Sequence, residues 1–229
     1  MKTSFLFPVQ ISAFPLIVLL SLAGHFRVSA DETAVWLAKD ARETQGRIVM
    51  PDSKGSFDFE VADASGVKIG GKPGKIGDTK SIEFTGAQTS MFKTVVPMPA
   101  METSLKLSLQ VRPAESAGEE DGSLLRYGTQ WEIRYFTKKS LFQLIVWNEE
   151  GKFTIITVPA KQGVWQTLKA SVTANSMTLS VDGEEVVGEP SGPLHIEPKP
   201  LSLSMGGVAG KEMGRPFFGS VAEIRISIE

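Results

Sequence analysis

The chain has 229 residues, 41% of them hydrophobic, with 24 Lys and Arg against 26 Asp and Glu and a net charge of −2. That length suits one domain with a core of its own, and the charge balance excludes the concentrated basic surface that a nucleic-acid partner requires. With no cysteine in the chain, thiol nucleophiles, thiolate zinc sites and iron–sulfur clusters are excluded as well.

Residues 1–30 read as a signal peptide. Lys2 precedes an apolar stretch that is densest from Ala13 to Gly24, and Val28-Ser29-Ala30 stands before Asp31, a pattern that signal peptidase accepts. The stretch is interrupted by Pro15 and falls short of the about 20 residues that a spanning helix needs. Export with cleavage is therefore expected over an uncleaved anchor, leaving the protein secreted, periplasmic or in the cell envelope. No later stretch is long and apolar enough to span a bilayer.

Residues 31–56 form a lead-in. Val35, Trp36 and Leu37 among polar neighbours predict a short helix from Thr33 to Arg42, with a flexible spacer as the alternative. Pro51-Asp52-Ser53-Lys54-Gly55 then reads as a turn.

From Phe57 to Glu229 the pattern is one of short strands. Ser56 to Val61 alternates, with Phe57, Phe59 and Val61 on one face. Ser81 to Phe84 follows a Gly- and Lys-rich stretch, and Leu105 to Val111 is the clearest period-2 strand. Trp131 to Tyr135 and Phe142 to Trp147 come next, and Asn148-Glu149-Glu150-Gly151 is a hairpin turn into Phe153 to Val158. Gln166 to Thr173, Met177 to Val181, Leu201 to Met205 and Phe218 to Ile228 complete the set. Pro190, Pro193, Pro198 and Pro200 mark a surface connection, because proline cannot donate to a central ladder. So many short strands with little helical periodicity predict an all-β, two-sheet antiparallel sandwich or jelly roll.

Four landmarks carry a family resemblance. Ala62-Asp63-Ala64-Ser65-Gly66 resembles a D-x-S-G turn, and Gly77 to Gly86 a G-x-ALRFDG strand. Gly163-Val164-Trp165-Gln166, continued by Met177 to Gly183, resembles a G-x-W-H-H-V-A…L-x-L-Y-V-D-G hairpin. Phe218 to Ile226 resembles a closing F-x-G-x-I-D-E-V-R-I strand. In this order they resemble the jelly roll of the laminin-G-like and concanavalin-A-like lectin and glucanase superfamily. The resemblance implies a sandwich over 57–229 whose chain ends pair. Two departures stand out: Gln166-Thr167 replaces the paired histidines, and Ala222 the aspartate of the closing strand. Laminin-G modules of animals often carry a disulfide, so the lack of cysteine points to a bacterial exported protein.

Candidate chemistry is sparse. The two-carboxylate strand of retaining glycosidases, E-x-D-x-x-E, has its nearest counterpart at Glu119-Glu120-Asp121, but Leu124 stands in the last position. His195 is the one histidine after the leader, too few for a histidine metal site, and no G-x-S-x-G elbow accompanies it. Calcium, if any is bound, would draw on Asp58, Asp63, Asp78 and Glu223, brought together by paired chain ends. For sugar stacking the candidates are Trp131, Tyr135, Trp147 and Asn148, with core packing as the alternative for the rings. Ile133 between Trp131 and Tyr135 favours that alternative. The expectation is a non-catalytic binding or adhesion module for a glycan or an extracytoplasmic protein. A carbohydrate-active enzyme with an atypical site and a structural envelope domain are the other readings.

Overall fold

A computed structural model describes residues 32–61, 64–70, 80–87, 91–115, 121–208 and 215–229; the leader expected at 1–30 lies outside them. The strands among the described residues are β1 Ala34–Leu37, β2 Arg42–Thr44, β3 Arg47–Met50, β4 Phe59–Val61, β5 Val67–Gly70, β6 Ser81–Thr85, β7 Phe92–Thr94, β8 Ser104–Pro113, β9 Gly122–Tyr127, β10 Trp131–Phe136, β11 Leu141–Trp147, β12 Phe153–Pro159, β13 Gln166–Thr173, β14 Ser176–Val181, β15 Glu184–Gly188, β16 Ser204–Met205 and β17 Phe218–Ile228. They form an eight-stranded sheet in the order β15-β14-β13-β8-β17-β6-β5, with β1 also on β17, and a nine-stranded sheet in the order β12-β11-β10-β9-β16-β7-β4-β3-β2. Every pairing is antiparallel. The expected all-β sandwich is what the chain folds into. Among the described residues no helix is long and apolar enough to cross a membrane.

Alternation along the strands builds the core. Leu105, Leu107, Leu109 and Val111 of β8 point inward with Leu168, Ala170 and Val172 of β13 and Ile224 and Ile226 of β17. From the opposite sheet come Phe59, Phe92, Tyr127, Ile133, Phe142 and Leu144. The lysines, serines and glutamines between them face outward, as a period of two requires. One irregularity keeps this parity: the β17–β8 register shifts between Val221 and Glu223, so Ala222 is an extra, bulged residue. Without it Glu223 and Arg225 would turn into the core and Ile224 and Ile226 out of it.

The lead-in differs from expectation. Instead of a helix over Thr33–Arg42, β1 pairs with β17 and a single 3-10 turn, Ala38–Asp40, follows it. An isolated helix of this length is marginal, whereas Trp36 in a strand buries its whole ring, 4.5 Å from that of Phe59, and donates from Nε1 to Phe57 O at 2.6 Å. β2 and β3 join the other sheet, so the lead-in contributes to both layers. Of the strand expected over Leu201–Met205 only Ser204–Met205 forms, because the preceding residues run beside Met98 through a single bridge.

Tyr127 ties that segment down. Its hydroxyl donates to Met98 O at 2.8 Å and accepts from Leu201 N at 3.0 Å. Burial pushes the phenol above the ordinary 10.0, Glu197 adds to the rise, and the bond from Leu201 opposes it. A phenol whose folded value is raised contributes stability that is complete below the unfolded value and lost as pH climbs through the folded one. Tyr127→Phe is expected to lose about 1–2 kcal/mol at neutral pH. Its stability should also fall less steeply than wild type above the ordinary tyrosine value, as read by urea unfolding at stepped pH.

Candidate functional site

The outer face of the nine-stranded sheet gathers its side chains in cross-strand rows. One row runs Ile155, Ile145, Glu132, Arg126, Ser204, Lys93, Glu60 across β12, β11, β10, β9, β16, β7 and β4. The row on one side is Phe153 and Trp147, and on the other Thr157, Gln143, Arg134 and Ser123. Partners opposite one another in an antiparallel pair share a face, so a hydrophobic corner on β11 and β12 adjoins a charged centre on β9 and β10.

At the centre lies Glu132, with no exposed surface. Arg134 donates to both of its oxygens, Nε to Oε1 at 3.3 Å and Nη2 to Oε2 at 3.0 Å. Arg126 Nη1 and Arg215 Nη1 stand 3.9 and 3.8 Å from the same Oε2. Arg134 also lies 3.8 Å from Asp121. A carboxylate taken out of water is tolerated where cations and hydrogen bonds replace its hydration, and three guanidiniums do so here.

In the hydrophobic corner Trp147 is half-buried, its ring centre 6.1 Å from that of Phe153 and at 60° to it. Arg126 stands over the indole at 5.6 Å. Phe153 is 56% and Ile155 39% exposed. Large apolar groups exposed side by side on a sheet face are the unusual observation, not single exposed ones.

The stacking candidates divide by parity. Trp131 and Tyr135, 0% and 1% exposed, are core residues and cannot meet a ligand. Trp131 lies nearly parallel to Tyr127 at 6.3 Å, and Tyr135 packs against Phe142 and Phe217. Trp147, on the opposite parity, faces out. Asn148 is buried and caps the hairpin turn, accepting at Oδ1 from Glu150 N and Lys152 N at 3.1 and 2.9 Å. The same alternation that turns Trp131, Ile133 and Tyr135 inward turns Glu132 and Arg134 outward. That signal was present in W-E-I-R-Y, and a search for aromatic rings passes over it.

The acidic candidates do not come together among the described residues. Asp58 accepts from Asp52 N at 2.8 Å, and Glu223 is engaged by Arg225. Asp63 and Asp78, like Glu119 and Glu120, lie outside the described residues. No three His, Cys, Asp or Glu side chains that could hold a metal gather among the described residues. His195 stands 3.9 Å from Glu197 in the proline-rich connection.

A concavity of about 370 Å³ opens on the outer face of the other sheet, lined by Lys68, Glu83, Arg112, Glu115, Gly163 and Ser220 among others. Its two cations and two carboxylates balance, so these lining residues offer a ligand no surplus charge.

No protein-family model matches the chain, and no curated protein sequence does. Solved structures do match. The binding domain of Paraclostridial Mosquitocidal Protein 1 superposes with a TM-score of 0.64 at 13% identity, covering 87% of this chain and 49% of that one. The botulinum neurotoxin serotype D ligand binding domain, solved with N-acetylneuraminic acid, gives 0.63 at 7% identity over 87% and 48%. Trypanosoma rangeli sialidase, in complex with a difluoro-KDN, gives 0.60 at 12% identity over 87% and 30%. This chain therefore spans half or less of the solved chains it resembles. At such identities the likeness is one of fold alone: a β-sandwich, found in those receptor-binding domains and in a sialidase.

Proposed function

We propose that the protein is an exported, non-catalytic module of laminin-G-like or concanavalin-A-like type that binds a glycan on the outer face of the nine-stranded sheet. The observation that carries this is the pairing of exposed Phe153 with half-buried Trp147 in register on β12 and β11, beside the arginine cluster. Flat apolar faces next to directed polar groups are what a pyranose ring requires: its C–H face stacks and its hydroxyls bond. A serotype D toxin domain of similar fold was solved with a sugar acid, which supports the reading. The leader expected at 1–30 supports a place outside the cytoplasm.

A glycan array probed with the protein, in calcium and in chelator, tests this. Binding to one polysaccharide class is expected, unchanged by chelator, because Asp58 and Glu223 already have protein partners. Trp147→Ala should weaken binding about tenfold while circular dichroism stays that of the wild type. A Trp147→Ala protein that binds as wild type would place the ligand elsewhere. Release of reducing ends from the bound polysaccharide would instead favour hydrolysis over simple binding.

A further inference from the structure

We infer that the ligand of this face carries a carboxylate or sulfate group, received between Arg126 and Arg215. The inference rests on the binding reading above and adds the charge of the ligand to it.

Local charge is the first ground. Among the described residues the guanidiniums of Arg126, Arg134 and Arg215 face two carboxylates, Glu132 and Asp121, which leaves one positive charge in excess among these five groups although the chain as a whole is acidic. Glu197, beyond Gly128, is taken up by Thr129, whose N and Oγ1 it meets at 2.6 and 3.0 Å. Lys93 extends the positive row past Ser204 and is exposed.

Geometry is the second. Among these three arginines Arg134 hydrogen-bonds Glu132, whereas Arg126 and Arg215, at 3.9 and 3.8 Å, attract it without bonding to it. Arg126 directs Nε to Gly128 O at 2.8 Å. The side chains of Arg126 and Arg215 are 18% and 35% exposed, and that of Glu132 is 0%. An approaching anion therefore meets guanidinium N–H groups before it meets the carboxylate, and charge-assisted bonds to a planar oxyanion are what such groups form best.

Backbone strain is the third. Arg215 has φ of +56°, a left-handed conformation unfavourable to a residue with a β-carbon. It is held there while its carbonyl accepts from Ser123 N at 2.9 Å, beside the cluster. Strain of this kind gathers where a side chain must be held in place for a ligand.

The test compares matched pairs: polygalacturonate with its methyl ester, and dextran sulfate with unsubstituted dextran, each titrated into the protein at low and at high sodium chloride. The acidic member of at least one pair should bind about tenfold or more tightly than its neutral partner, with an advantage that shrinks as salt rises. Preference within the first pair assigns a carboxylate, and within the second a sulfate. Arg215→Gln, a change at a partly exposed side chain, should remove about tenfold of acidic binding and little of neutral binding. Lys106→Gln, the same charge change on the other sheet, should do neither. Equal binding of acidic and neutral members, or an Arg215→Gln protein no different from Lys106→Gln, would overturn the inference and leave the binding reading standing. If no polysaccharide binds in any form, both fail.

Discussion

Glu132→Ala is expected to destabilise the protein by about 3–5 kcal/mol, the usual effect of removing one partner from a buried charged pair. The carboxylate is wholly buried, and Arg126, Arg134 and Arg215 converge on it. Its loss leaves three like charges facing one another with, among the described residues, Asp121 to offset them. Arg134, whose side chain is 16% exposed, loses both of its bonds to the carboxylate. Repulsion among the three guanidiniums adds to the lost hydrogen bonds. Glu132→Gln, which keeps the volume and one acceptor, should lose less. Sulfate offers a discriminating measurement: by occupying the vacated place it should raise the melting temperature of Glu132→Ala more than that of wild type, against a chloride control of equal ionic strength. A loss below about 1 kcal/mol would mean that the cluster is an exposed ion pair in effect, and the argument from burial would fall.

How much of this was legible beforehand can be traced residue by residue. β8 and β13 announced themselves because their partners on both sides are strands, so one face is buried along the whole length and alternation is clean; β17 alternates from Glu223 onward, after the bulge at Ala222. Gln166–Thr173 and Phe218–Ile228 run as the pattern predicts. The lead-in did not, because Ala34-Val35-Trp36-Leu37 is an unbroken apolar run, compatible with a buried strand or a helix turn, and only the long-range partner decides. That partner is β17, some 190 residues away in sequence. β9 was hidden for another reason. Its register on β10 shifts between Ile133 and Arg134, so Gly122-Ser123-Leu124-Leu125 shows no regular alternation. The site followed the same division. Glu132 and Arg134 were legible from the parity of β10, once the inward face was fixed by Trp131 and Tyr135. Arg126 and Arg215 were not, since their convergence depends on the bulge in β9 and on the bond from Ser123 N to Arg215 O, neither of which a sequence pattern shows.

Asp52→Ala is the second large effect, expected at about 3 kcal/mol and a fall of about 6–12 °C in melting temperature. The carboxylate is 4% exposed and accepts four backbone N–H groups: Val35 and Lys54 at Oδ1, at 2.8 and 3.0 Å, and Ser56 and Phe57 at Oδ2, both at 3.2 Å. Three of these close the turn that the sequence marks at Pro51–Gly55. The bond to Val35 fastens that turn to β1, where the backbone bridge Trp36–Asp52 and the bond from Ser53 N to Val35 O lie alongside. One side chain thus joins the two sheets at the edge where Trp36 inserts. An alanine leaves the buried Val35 N–H without its acceptor, a penalty that no rearrangement of the exposed turn relieves. Asp52→Asn is not conservative here: one of its two positions becomes an NH₂ facing the N–H groups of Ser56 and Phe57, so an intermediate loss is expected. Amide exchange locates the effect. In Asp52→Ala the amides of Val35 and Ser53 should exchange much faster while those of β8 and β13 slow or quicken only with global stability. Uniform acceleration throughout the chain would instead show that the lead-in and the sandwich unfold as one unit and that Asp52 contributes to both alike.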